Sequence, residues 1–143
     1  DELKKTVLQK MVDLLYDYGT RQYTKHAFLN TGVGYTLFAR DHKEFFKAIF
    51  LEGDDASDII DILMQKLESS IANVPEFKKL SSNERKDLLH KGWIYTHGFA
   101  VMVFSGYIKN NQDKQIIRAL AEAGPVFIEH ALGKHINGLP DVM

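Results

Sequence analysis

Apolar residues recur every three or four positions along almost the whole chain. In the first segment they step from Leu3 through Val7 to Tyr18, a spacing that places side chains on one face of an α-helix. Gly19 favours the end of that helix. No stretch of alternating β-branched and polar residues competes with this spacing. The pattern therefore predicts an all-α fold.

Two further helices are expected in the next third of the chain. The apolar pattern predicts one over Tyr23–Arg40, in which Gly32 and Gly34 lower helix propensity and favour a bend. A short third helix, rich in phenylalanine, is expected to begin with Asp41 as its N-cap and to end near Gly53.

The fourth helix is expected to begin around Asp54 and to end before Pro75, which cannot continue a helix. Ser81 and Glu84 have the spacing of a capping box and open the longest apolar pattern, which reaches about Ile108.

A last helix completes the pattern. Asp113 is expected to cap it, Pro125 to kink it, and its apolar residues to share one side as far as Leu132. Together the segments predict about six helices in one domain spanning residues 1–143.

The segment 93–108 contains no charged residue. This predicts a stretch buried on nearly all sides, in a core, an interface or a membrane. It is shorter than the roughly 20 residues that span a bilayer, so we do not expect a membrane protein.

The composition narrows the class of protein. The 143 residues are 45% hydrophobic and 26% charged, which is typical of a globular domain. There is no cysteine, which excludes disulfides and thiolate metal sites and favours a cytoplasmic protein. A net charge of −1 gives no basic excess for binding DNA through these residues.

The residues that could support chemistry are few. No two of the six histidines have the i, i+4 spacing of a helical zinc site, and the acidic residues between 54 and 61 are typical of a solvated first helical turn. We predict neither a metal site nor a cofactor. His97 lies in the uncharged segment and is either a core histidine bonded to a neighbour or a donor lining a pocket.

No catalytic motif is present, and we do not expect an enzyme. Aromatic side chains are abundant instead, and they could either fill a core or line an apolar cavity between helices. They are Tyr35, Phe38, Phe45, Phe46, Phe50, Trp93, Phe99 and Phe104. Small residues at Gly98, Ser105 and Gly106 would allow another helix to approach closely, from the same chain or from a second subunit.

Two segments resemble the C-terminal domain of TetR-family transcriptional regulators: YTLFARDHKEFF at 35–46 and WIYTHGFA at 93–100. In the first, Tyr35, Phe38 and Phe46 match the pattern, whereas Lys43 stands where a proline is common. In the second, Trp93, His97 and Gly98 match a W-x-x-x-H-G signature of one branch of the family. The order and lengths of the helices agree with the resemblance over essentially the whole chain.

The resemblance implies a regulatory domain that binds a small effector, apolar or aromatic, inside each subunit. Within the two resembling segments, apolar or amphipathic character leads us to expect that the pocket is lined or bordered by Tyr35, Phe38, Phe46, Trp93 and His97, with His97 as the best polar anchor. It also implies a homodimer in which helices at Ser82–Ile108 and Asp113–Leu132 form a four-helix bundle with their twins. The residues expected at that interface are Gly98, Ser105, Gly106, Ile117, Leu120, Phe127 and Ile128.

In that family a separate three-helix head binds DNA, and no segment here resembles it. The chain also starts without Met, as a piece or processed form of a longer protein would. Two rival hypotheses remain open. One is a structural dimerisation module with a filled core, and the other is a small all-α enzyme.

Overall fold

The computed structural model describes residues 2–54 and 56–133, and no β-strand occurs within these ranges. Its helices are α1 (Glu2–Gly19), α2 (Ala27–Asp41), α3 (Lys43–Phe46), α4 (Ala56–Ile71), α5 (Ser82–Phe104) and α6 (Asp113–Ala131). A π-helical turn at Lys47–Leu51 prolongs α3, and a 3-10 turn at Pro75–Phe77 lies between α4 and α5. The predicted all-α fold of about six helices is confirmed.

Helix α2 is the centre of the structure. It contacts α1, α3, α4, α5 and α6, and every residue from Val33 to Ala39 is buried. Seven consecutive residues cover the whole circumference of a helix, so α2 is enclosed on all sides over this stretch. Helix α2 runs unbroken through Gly32 and Gly34, and it begins at Ala27 rather than at Tyr23.

The start and end of α5 follow from two local features. The Glu84 backbone N–H donates to Ser81 Oγ at 3.1 Å, and the Ser81 N–H donates to Glu84 Oε1 at 3.0 Å, so the predicted capping box is confirmed. The helix ends at Phe104, before the expected Ile108. Gly106 follows with φ of 82°, a left-handed conformation that suits glycine and ends helices.

Two of the predicted N-caps are wrong. Asp41 is the last residue of α2, and Asp113 is the first residue of α6, with Gln112 in the cap position. Both carboxylates pair with Arg40 instead: its Nε donates to Asp41 at 2.7 Å and its Nη1 to Asp113 at 2.6 Å. Arg40 therefore ties the end of α2 to the start of α6.

Within a single subunit the uncharged segment 93–108 is only partly buried, so a core alone does not account for its lack of charge. Helix α5 packs against α2, α4 and α6, and no other described element covers its outer side. The exposed residues there are Ile94, Tyr95, Gly98, Met102, Ser105, Gly106 and Tyr107. None of the described helices combines the length and the hydropathy needed to cross a membrane.

Candidate functional site

A partly open cavity of about 50 Å³ lies where five helices meet. Residues of α1, α2, α4, α5 and α6 line it, and most of them are aliphatic or aromatic. Its apolar walls include Leu15, Phe28, Leu29, Leu63, Met64, Leu67, Leu89, Leu120 and Phe127. An apolar hollow with a few polar groups is the usual composition of a small-molecule site.

Glycines shape this cavity. Gly32, Gly92 and Gly124 all line it, and each faces a side chain of another helix. A β-carbon at Gly124 would overlap the Cδ2 atom of Leu29, so the glycine allows the leucine side chain to pack directly against the backbone of α6. Any larger residue at position 124 would force the Leu29 side chain into another rotamer.

Two polar groups at the cavity lack hydrogen bonds. The Thr96 side chain is only 7% exposed, and its hydroxyl bonds to no group within the described parts of the chain. The Trp93 indole Nε1 is buried and likewise has no hydrogen-bond partner there. Buried polar groups are nearly always paired, so the unpaired, fully buried Trp93 nitrogen is unusual, and the unbonded Thr96 hydroxyl lies beside the same cavity.

The other polar groups of the lining have partners or reach the surface. The Thr31 hydroxyl donates to the Phe28 carbonyl oxygen at 2.6 Å. The Tyr35 hydroxyl lies 2.7 Å from Nδ1 of His97. Tyr95 is exposed. In the described lining, Trp93 Nε1 is therefore the one fully buried polar side-chain atom without a partner, and the Thr96 hydroxyl is a second unbonded group whose oxygen is not fully buried.

Burial keeps the Tyr35–His97 pair neutral. It raises the pKa of Tyr35 far above its ordinary value of 10.0, a rise that the nearby Trp93 indole partly opposes although no hydrogen bond forms between them. Burial also lowers the pKa of His97 below its ordinary value of 6.5. At neutral pH the hydrogen bond between Tyr35 and His97 therefore joins a neutral phenol to a neutral imidazole.

An aromatic cluster surrounds this pair on the side away from the cavity. The ring of His97 lies 5.1 Å from that of Trp93, 5.9 Å from Phe46 and 6.1 Å from Phe50, between centroids. Phe46 is fully buried. We define the aromatic cluster as Tyr35, Phe46, Phe50, Trp93 and His97, of which only Tyr35 and Trp93 also line the cavity.

The structure brings together four of the five residues predicted to bind ligand. Tyr35 and Trp93 line the cavity, whereas Phe46 and His97 lie behind them in the aromatic cluster. His97 has intermediate exposure and is bonded to Tyr35, and it is not among the residues that line the cavity. Phe38 lies apart, with its ring 5.8 Å from that of Tyr18 in a fully buried setting.

Several lining residues were missed by sequence reasoning. Thr96 sits in the middle of the resembling segment 93–100, where an isolated hydroxyl in an uncharged helix was a detectable hint. Leu29 and Gly124 gave no such hint, because only the packing of α2 on α6 brings them together.

The seven residues expected at a dimer interface fall into three groups. Gly98, Ser105 and Gly106 are exposed, Ile117 and Phe127 are half-buried, and Leu120 and Ile128 are buried. The last two pack inside their own subunit, because the apolar side of α6 faces α2 and α5. Leu120 and Phe127 also line the cavity.

Within the described residues, no group of three or more histidine or acidic side chains is arranged to hold a metal ion. Comparison of the chain with protein-family models, curated proteins and solved structures found no match. The resemblance to TetR-family regulators therefore stays a prediction from the sequence.

Proposed function

We propose that this chain is the effector-binding and dimerisation domain of a TetR-like transcriptional regulator, with the effector bound in the cavity. The observation that supports this best is the cavity itself, which combines apolar walls with the unsatisfied polar groups of Thr96 and Trp93. A purely structural module would have a filled core, so the cavity counts against that alternative.

The size of the cavity limits the effector or requires the helices to move. An engineered cavity of about 150 Å³ binds benzene in another protein, and the cavity here is about 50 Å³. An effector larger than a few heavy atoms would have to widen it. Because five helices line the cavity, widening changes their spacing. A ligand that favours the wider arrangement would shift the separation of two attached DNA-binding heads, which is allostery by differential affinity.

A second copy of the chain fits the outer side of α5. We define the outer face as Ile94, Tyr95, Gly98 and Met102, which follow one helical stripe and are exposed. The ring of Phe127 on α6 lies 5.7 Å from that of Tyr95 and extends this face. An uncharged apolar face can pair with itself across a twofold axis without charge repulsion. Leu120 and Ile128 are no part of this proposal, since they are buried within the subunit.

Effector binding is tested by titrating the protein with a panel of small organic molecules and following methyl NMR signals. An effector in the cavity shifts the methyl signals of Leu29, Met64 and Leu120 and leaves that of Ile62, which is exposed on α4, unchanged. A panel covering apolar, polar and charged molecules that shifts none of the cavity methyls would contradict the proposal.

Dimerisation is tested by sedimentation equilibrium. The wild-type chain is expected to be a dimer, and Met102→Glu to be a monomer, because each dimer would bury two new charges without partners. Ile62→Glu is the matched control: it places the same charge at a residue of similar exposure, 44% against 49%, away from the outer face. A wild-type chain that is monomeric at every concentration would rule the dimer out.

A further inference from the structure

The lining of the cavity is uncharged. Each of the residues that face it in the described structure is apolar, glycine, or a neutral hydroxyl or indole side chain. A charged ligand would lose its hydration there without gaining an opposite charge, which is strongly unfavourable. Any molecule that binds in the cavity is therefore expected to be neutral.

The polar groups left unsatisfied define what that molecule must offer. The Trp93 indole nitrogen can only donate a hydrogen bond, and the Thr96 hydroxyl can donate or accept one. Thr31 and Tyr35 are already engaged, with the Phe28 carbonyl oxygen and with His97. The Trp93 nitrogen is fully buried, so a ligand reaches it only when the side chains around it move. A ligand that satisfies both groups must bring a hydrogen-bond acceptor.

Positions 93 and 96 are three residues apart on α5, so their side chains are neighbours on one face of the helix. A carbonyl oxygen has two lone pairs and can accept two hydrogen bonds at once. A single carbonyl group could therefore accept from both side chains, whereas a hydrocarbon would leave both unpaired.

Building on the proposed effector site, we propose that the cavity binds small, uncharged carbonyl compounds such as ketones, aldehydes, esters or lactones. The Thr96 hydroxyl is the specificity-determining donor, and the Trp93 indole N–H is the second donor. The apolar remainder of the ligand lies against the leucines and phenylalanines of the walls.

The test uses three probes with the same ring: cyclopentanone, cyclopentane and cyclopentylammonium. Binding is followed by the methyl signals of Leu29 and Leu120. We expect cyclopentanone to bind about tenfold more tightly than cyclopentane, since one unsatisfied buried hydrogen bond costs about a factor of ten or more. Cyclopentylammonium is not expected to bind.

Trp93 supplies an independent reading, because it is the only tryptophan in the chain and gives one indole N–H signal. This signal is expected to move downfield with cyclopentanone, as a new hydrogen bond requires, and to move much less with cyclopentane.

Two matched variants locate the donor. Thr96→Val keeps the side-chain shape and breaks no hydrogen bond of the described structure, so the fold should persist; it is expected to reduce the preference for cyclopentanone about tenfold. Thr31→Val makes the same change in the same cavity, at a hydroxyl that is already bonded, and should keep the preference.

The outcomes separate this inference from the proposed function. Equal binding of cyclopentanone and cyclopentane overturns the carbonyl preference but leaves a ligand-binding cavity. Equal effects of Thr96→Val and Thr31→Val overturn the role of Thr96. If none of these probes, and no molecule of the broader panel, shifts the cavity methyls, the effector site and this inference fail together.

Discussion

Gly32 and Gly34 lie two residues apart in α2 and meet their neighbours in different ways. A β-carbon at Gly34 would overlap the Tyr18 carbonyl oxygen and lie 2.6 Å from the Gly19 nitrogen, so the backbones of α1 and α2 are in direct contact. A β-carbon at Gly32 would meet only side-chain atoms, with Thr96 Oγ1 at 3.2 Å and Leu120 Cδ1 at 3.7 Å.

The difference separates a rigid side of α2 from an adaptable one. Backbone atoms cannot move away without shifting a whole helix, whereas side chains can turn into nearby free space. Gly32 lines the cavity and Gly34 does not, so the side chains that face Gly32 have free space beside them. We therefore expect a ligand to move α5 and α6 relative to α2, and the crossing of α1 and α2 to stay fixed.

The largest effect is expected from Gly34→Ala. The new methyl group overlaps backbone atoms of Tyr18 and Gly19, so α1 must move, and the free energy of unfolding should fall by about 3 kcal/mol or more. Gly32→Ala is the matched control and should change it by less than about 1 kcal/mol, because the gain in helix propensity offsets a contact that side chains can relieve. Urea denaturation measures both.

If the two alanine variants were equally stable, the contrast between the two sides of α2 would be wrong. Gly98→Ala tests a third glycine, at a position where nothing lies within 4 Å of a β-carbon. In a monomer it should stabilise the chain by up to about 1 kcal/mol through helix propensity alone. In the proposed dimer, the same methyl group would lie in the outer face and weaken association.

The next effect is expected at Tyr35, which stands between the cavity and the aromatic cluster. Tyr35→Phe removes the hydroxyl that bonds to His97 at 2.7 Å and leaves the imidazole without that partner. The free energy of unfolding should fall by about 1 to 2 kcal/mol. Tyr95→Phe, at an exposed ring, should leave stability nearly unchanged. Equal stability of Tyr35→Phe and the wild type would show that the bond contributes nothing.

Much of the fold could be predicted from the sequence because helical spacing and caps are local. The capping box of Ser81 and Glu84 is an example, since both partners lie within one helical turn. The cap assigned to Asp113 failed for the opposite reason, because its partner Arg40 is 73 residues away in the chain. The cap assigned to Asp41 failed because α2 extends through that residue.

The candidate site was harder to predict because it depends on which side of each helix faces which neighbour. The segment 93–108 is uncharged on both the inner and the outer side of α5. The inner side lines the cavity and the outer side is exposed, so the lack of charge could not tell them apart. For the same reason, the sequence places Leu120 and Ile128 on an apolar side of α6 but does not show whether that side faces the interior of the subunit or a partner. Tyr35 and Trp93 were chosen for their place in the two resembling segments, and both line the cavity.

A smaller change in stability is expected from Gly124→Ala, although its effect on binding should be complete. The new methyl group displaces the end of the Leu29 side chain, which can turn into the cavity. The free energy of unfolding should therefore change by no more than about 1 kcal/mol, while cyclopentanone no longer shifts the Leu120 methyl signals. Unchanged binding would mean that Leu29 turns away from the cavity.

The smallest effect is a dependence of stability on pH that originates at His97. Burial lowers its pKa in the folded chain below the ordinary 6.5, so below about pH 6.5 the unfolded chain binds more protons than the folded one. Stability then rises with pH, and acidification below pH 6.5 must reduce the free energy of unfolding. His97→Gln should flatten this part of the pH profile, whereas His90→Gln, at an exposed position on the same helix, should keep it. A profile identical in His97→Gln and wild type would show that His97 is hydrated in the folded chain, and that the aromatic cluster is more open than the cavity beside it.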